Sequence, residues 1–465
     1  TMKKADRNAL FAVPIVILIG LGIAWAGSQG GAKTNGIPIF AISVGLIFLI
    51  QLLAFIPAYL LQTEKFFDLT GSLTYISVTI IAVWLSPDID GRSVLLLDRN
   101  GRIKPCGGAI PPQLMREFAI PESLLTARIT SARMVSPSDR QVDMPINGGY
   151  VGMVNRDSFD DWLRRRAQKA GAERRDGTVT RVVAETGGDA VLHYRPGSPA
   201  GDRSASTRTV RARCVIGADG ARSGIARQCI PGAGEMRYVT AYHEIVAAPS
   251  RDGGDYDPER CDVYYQGAIS PDFYGWVFPH GDSVSVGVGT ARSGHSLRRA
   301  TGQLRTAAGL EDLETLRREG APIPLRPLRR WDDGRRVLLA GDAAGVVAPA
   351  SGEGIYYAMA SGRLAAQAAE RFLDTGDAKA LGLARQRFMK AHGRVFRVLG
   401  LLQRFWYSSD RRRERFVSMC RDPDVQQLTW EAYMNKRLVR ARPAAHVRIF
   451  FKDLAHLFGV VSPRS

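Results

Sequence analysis

At 465 residues the chain is long enough for two or three domains with a sizeable core. It carries 63 Lys and Arg against 45 Asp and Glu, a formal net charge of +18, which suits an anionic membrane surface, an acidic small molecule or nucleic acid. The basic residues are scattered with no recognisable nucleic-acid module, so nucleic acid is not the expected partner. Five cysteines (Cys106, Cys214, Cys229, Cys261 and Cys420) are widely spaced without a CxxC pair, so a reducing compartment is expected and a metal site is not.

Residues 9–27 (ALFAVPIVILIGLGIAWAG) and 37–61 carry no charge, and each is long enough to cross about 30 Å of hydrocarbon as a helix. Lys3, Lys4 and Arg7 precede the first, which orients the N-terminus toward the cytoplasm. The expectation is therefore a membrane location, with two transmembrane helices and the soluble part facing the cytoplasm. A third apolar run, 73–85, is too short for a comfortable span and is read as interfacial or buried.

From residue 88 the composition becomes that of an α/β protein, with short apolar strands between glycine-rich turns. The run 94–97 ends on Asp98, which has the look of a strand whose terminal acid holds a ribose. Arg156 opens a stretch with helical spacing at Phe159, Trp162 and Leu163. VIGADGARS brings Asp219 to a second strand-to-turn junction, and the alternation of SVSVGVGT suggests an antiparallel platform. In VLLAGDAAG a buried strand delivers Asp342 to a turn of small residues, where the amides of the next helix suit an anionic ligand. A second small-residue turn, APASGEGI, follows with Gly352 and Gly354. Taken singly, GD in such a turn reads equally well as a capped strand-to-helix junction.

Together the ribose acid, GADGARS and GDAAGVVAPASGEG resemble the flavoprotein family that includes p-hydroxybenzoate hydroxylase. KPCGGAI, YGWVFP and RDPDVQQLTWEAYMNK further resemble the geranylgeranyl reductases of bacteriochlorophyll and chlorophyll synthesis, from about residue 91 onward. The resemblance implies an FAD-binding doubly wound fold with an antiparallel substrate-domain sheet and a helical C-terminus. It also implies FAD as cofactor, NADPH as reductant, and a prenyl lipid or chlorophyll-type substrate. By position, Asp98, Arg156, Asp219, Asp342, Gly352 and Gly354 are expected at the FAD. Tyr274, Trp276 and Phe278 are expected to line a lipid cavity, and Cys106 to border flavin and substrate as a proton source. Read plainly, Cys106 is also an ordinary turn cysteine and YGWVFP ordinary sheet packing.

One feature departs from that family. A doubly wound domain begins with a strand and a GxGxxG turn, yet residues 67–97, just before Asp98, contain only Gly71 and Gly91, and no GxGxxG stands upstream in a suitable context. SVTIIAVWL has strand composition, but six residues cannot make a parallel crossover to the run ending at Asp98. Residues 1–90 instead resemble the start of steroid 5-alpha-reductase-like membrane proteins, through TEKFFDLTGSLTYISVTIIAVWLSPDID. The expected organisation is a membrane segment (1–90), a partial FAD-binding domain (91–235), a substrate domain (236–330), an FAD-binding return segment and helix (331–400), and a basic helical region (401–465). The functional expectation is reduction of geranylgeranyl double bonds with impaired flavin binding. The alternatives are a non-catalytic membrane-anchored remnant near photosynthetic membrane proteins and an aromatic flavin hydroxylase.

Overall fold

The computed structural model describes residues 93–98, 103–184, 188–197, 206–249 and 255–436, and before them chiefly 37–60 with a few positions from 20 to 34. The chain divides into two compact units, Thr1–Val94 and Leu95–Ser465.

In the first unit the main element is an uncharged helix, Ile39–Leu60. No helix among the described residues is long and apolar enough to cross a membrane. The membrane location and the paired transmembrane helices expected from hydropathy are corrected on that finding. Most of the first expected span (9–27) and the whole run 73–85 lie outside the described residues.

The second unit is α/β. Val215–Gly217 pairs in parallel with Val337–Leu339, and the latter strand is wholly buried. Leu95–Asp98 pairs in parallel with the start of Glu173–Ala184, which continues antiparallel to Ala190–Pro196 and then Arg208–Ala212. Among the described residues Leu95–Asp98 and Val215–Gly217 each have a partner on one edge only. Ile216 is 40% exposed, an unusual fate for an apolar residue on a parallel strand, and among the described residues no strand covers that edge.

The second layer is a seven-stranded sheet. Its core of Tyr238–Ala247, Ser283–Thr290 and Gly275–Pro279 is antiparallel, as the alternation in SVSVGVGT suggested. It also takes Ser131–Val135 and Gln141–Pro145 from earlier in the chain, with Ser131–Val135 parallel to Arg260–Tyr264. Ser283–Thr290 is buried at every position because Leu297–Ala307 covers one face of the sheet, placing Ala300 and Leu304 against Val284, Val286 and Val288. The other face turns Val239, Phe273, Tyr274 and Trp276 toward a cluster that includes Trp406 and Tyr407.

The alanine-rich helix Ile355–Thr375 packs on the parallel strands through Ala360, Ala365, Ala368 and Ala369, small residues that let backbone approach backbone. Leu383–Trp406 lies against it, with Phe388 and Phe396 seated around Tyr357. Beneath sits Trp331, fully buried, its ring 5.2 Å from Phe388. Truncating so large a filler leaves a cavity that the surrounding elements cannot close. Trp331→Ala is expected to lower unfolding free energy by about 3–5 kcal/mol, measured by urea titration; a loss below 1 kcal/mol would contradict this packing.

Candidate functional site

The site grows from three turns that meet under the seven-stranded sheet. The first follows the buried strand Val337–Leu339, where Gly341 and Asp342 begin a short 3-10 turn. Asp342 is 8% exposed and receives a 2.6 Å ion pair from Lys104 on Oδ2, while its Oδ1 is buried without a partner. A buried acceptor left open is costly unless something else supplies its donor, which marks Oδ1 as a place for a ligand hydroxyl.

The second turn spans 348–354. Ala348 N–H donates to Glu353 O and Gly352 N–H to Ala348 O, both at 2.9 Å, closing the loop on itself. Gly352 has φ +66°, and a Cβ there would meet the Phe273 and Tyr274 rings at 3.3 Å, so glycine is required by both backbone and neighbours. Tyr274 donates its hydroxyl to Ser351 O at 2.5 Å, and Tyr407 donates to Ala350 O at 3.1 Å. Glu353, 7% exposed, is ion-paired through Oε2 to the buried Lys436, while its Oε1 has no partner. Burial pushes the Glu353 carboxyl up against the pull of Lys436, and pushes the Lys436 ammonium down against the pull of Glu353.

The third is the KPCGG loop. Gly108 N–H donates to the Cys106 sulfur at 3.4 Å, and Arg156, on the same cavity wall, pairs with Asp160 at 2.8 Å. Burial opposes the Arg156 charge, but the Cys106 sulfur and Asp160 outweigh it and hold the guanidinium above its usual range. His280 fastens the loop to the sheet, its Nε2 donating to Gly107 O at 3.1 Å and its Nδ1 facing Asn155.

These turns enclose a cavity of about 430 Å³. Cys106, Arg156, Asp342, Gly352 and Gly354 stand on its wall, and Tyr274, Trp276 and Phe278 from the sheet line it as well. Ile129, Met144 and Ala241 extend it as an apolar slot, closed by Trp430 and Tyr433 of the helix Pro423–Asn435. Sequence reasoning did not single out Lys104, Glu353, Trp430, Tyr433 or Lys436 as site residues. Each lies inside a quoted motif, but only the folded chain brings the C-terminal helix to the turn at 348–354.

Two expected site residues stand elsewhere. Asp98 ends its strand as foreseen, but its carboxylate is taken by Arg164 and approached by Arg174 at 3.8 Å, and it does not line the cavity. Asp219 accepts from Ser223 Oγ and from the amides of Gly224 (2.7 Å) and Ile225 (3.2 Å). In this structure it therefore organises the start of the helix Gly224–Cys229.

The hollow combines a helix start that suits an anion, an orphaned acceptor at a strand end and a glycine turn, features a flat anionic cofactor could use. A family model described as an FAD binding domain matches residues 109–384, so the protein is an FAD-binding α/β protein. Geranylgeranyl diphosphate reductase of Rhodobacter capsulatus is 56% identical over 374 residues, covering 80% of this chain and 93% of that protein. The protein of the same name from Synechocystis is 36% identical, covering 79% and 92%. The chain belongs to the geranylgeranyl diphosphate reductase family. A geranylgeranyl bacteriochlorophyll reductase-like structure from Thermoplasma acidophilum shares the fold with a TM-score of 0.64 at 20% identity, over 76% of this chain and 93% of that one.

Burial lowers the His280 pKa to about 4, so the folded protein keeps this ring neutral while the unfolded chain takes a proton below about 6.5. His280 therefore contributes stability fully above pH 6.5, and this is lost as pH falls toward 4, by about 3 kcal/mol in all. His280→Gln is expected to flatten the fall in melting temperature between pH 6.5 and 4 relative to the parent chain; parallel curves would contradict it.

Proposed function

We propose that this protein reduces double bonds of geranylgeranyl chains, free as the diphosphate or carried on a bacteriochlorophyll, using FAD fed by NADPH. The observation that carries the proposal is the continuity of one cavity from the Asp342 turn to an apolar slot walled by Tyr274, Trp276, Phe278 and Trp430. A polar redox group and a prenyl chain need adjoining surfaces of these two kinds, shielded from water. The family membership and the names of the relatives support the substrate class.

The residues present fit the flavin half of that cavity. Asp342 Oδ1 is an acceptor without a protein partner for the ribityl chain, and Gly352 and Gly354 stand on the same cavity wall. When bound, FAD supplies the hydride. Arg156 holds the Cys106 loop in place beside it, and the aromatic wall orients the alkene while excluding water. NADPH has no dinucleotide fingerprint of its own in the sequence, so it is proposed to dock transiently.

Flavin affinity is proposed to be weakened. The turn that binds the pyrophosphate in a doubly wound fold has no counterpart in the sequence ahead of Asp98, and Asp98 is engaged by arginines. Losing two charge-assisted hydrogen bonds costs about 3 kcal/mol or more.

Purified full-length protein is expected to show flavin absorption bands only when FAD is supplied in excess, and anaerobic NADPH should then bleach them. Failure of any flavin to bind would overturn the enzymatic reading of this chain. Asp342→Ala is expected to weaken FAD binding about tenfold or more, read by quenching of flavin fluorescence; unchanged binding would remove Asp342 from the ribityl site.

A further inference from the structure

Reducing an isolated alkene requires a proton as well as a hydride, and the ionisable groups on the cavity wall differ in their freedom to give one. Asp342 is paired with Lys104, and Asp160 with Arg156. The Tyr274 hydroxyl is spent on Ser351 O, and both ring nitrogens of His243 face partners, Ser285 and Glu319. Cys106, the residue first expected to supply the proton, has a sulfur that accepts from the Gly108 amide.

Glu353, like Asp342, is paired through one oxygen: its Oε2 is engaged by Lys436 and its Oε1 is buried without a partner. It differs in its place on the cavity wall between Gly352 and Gly354, and in a lysine partner that is itself buried where Lys104 is half-exposed. Lys436 is itself 3% exposed, with its ammonium 3.8 Å from the centre of the Tyr433 ring. A buried acid and base that cost this much desolvation are worth more as a functional pair than as a source of stability. Burial acts in the direction that keeps a proton on the carboxyl.

We propose that Glu353 is the acid that delivers the proton to the prenyl chain, with Lys436 as its positioning partner. The inference rests on the flavin-reductase reading above. In the step, the alkene π bond breaks and a C–H bond forms at one carbon with the hydride from reduced flavin, which ends oxidised. The O–H bond of Glu353 breaks, its proton forms the C–H bond at the neighbouring carbon, and the carboxylate left beside Lys436 regains a proton from solvent. Because Lys436 caps the helix that carries Trp430 and Tyr433, the same pair fixes the acid relative to the wall that holds the prenyl chain.

The test begins without flavin turnover. Infrared spectra of the full chain at neutral pH should contain a protonated-carboxyl C=O band that disappears in Glu353→Gln. With excess FAD and NADPH, Glu353→Gln should lower kcat for geranylgeranyl diphosphate about 100-fold or more. Affinity for the prenyl chain, read by tryptophan fluorescence, should change by less than about threefold. Glu353→Asp should recover part of kcat. The double variant E353Q/K436M removes both buried charges and, with its melting temperature, separates loss of chemistry from loss of folding; it should be folded and equally slow. Absence of the band or near-parental turnover by Glu353→Gln would each overturn the proposal. A parent chain that binds flavin but reduces no prenyl substrate would count against the function, and Glu353 would then be decided by the infrared band alone.

Discussion

The rest of the site depends on one clamped turn, residues 348–354. Two internal backbone hydrogen bonds close it, and three other parts of the chain hold it from outside: Tyr274 from the sheet, Tyr407 beyond the helix Leu383–Trp406, and Lys436 beyond the last described helix. Each hydroxyl satisfies a carbonyl that the tight turn would otherwise leave unmade in a buried place. The aromatic residues thereby do two jobs, filling the slot with their rings and fixing the turn with their polar tips. Glycine at 352 follows from the same crowding, because the Tyr274 and Phe273 rings sit where a side chain would project.

That arrangement explains why charges are buried in an otherwise apolar cavity. Lys104 with Asp342, Arg156 with Asp160, and Lys436 with Glu353 stand at different points around it, each tying one segment of chain to another or stiffening a helix start. A low-dielectric interior makes each pair expensive to break and so sets geometry more than it adds net stability. The orphaned oxygens of Asp342 and Glu353 are the polar features left over once these pairs are made. Asp342 precedes the glycine turn and Glu353 lies within it.

The parallel sheet carries the main structural deficit. Val215–Gly217 and Val337–Leu339 pair with each other, and Leu95–Asp98 pairs with Glu173–Ala184, but no described strand joins the two sets. The turn at Asp342 keeps its shape because the helix Ile355–Thr375 and the buried Trp331 support its strand from one side. At Asp98 arginines occupy the carboxylate, and among the described residues no strand links that edge to the Asp342 strand.

By itself the sequence determined the α/β class, the antiparallel platform, the strand-to-turn position of Asp342 and the aromatic strand Gly275–Pro279, because these are written in local alternation, glycine placement and contiguous motifs. It also announced the missing GxGxxG turn, since a motif of fixed spacing is legible when absent. Hydropathy alone overstated the first unit, where apolar length was taken for a membrane crossing. The tertiary structure decided that Asp219 caps a helix, that Asp98 pairs with arginines, and that Lys436 reaches Glu353 across 83 residues of chain. Those outcomes depend on which distant groups share one dry space, and no local pattern encodes the partner that burial forces on a charge.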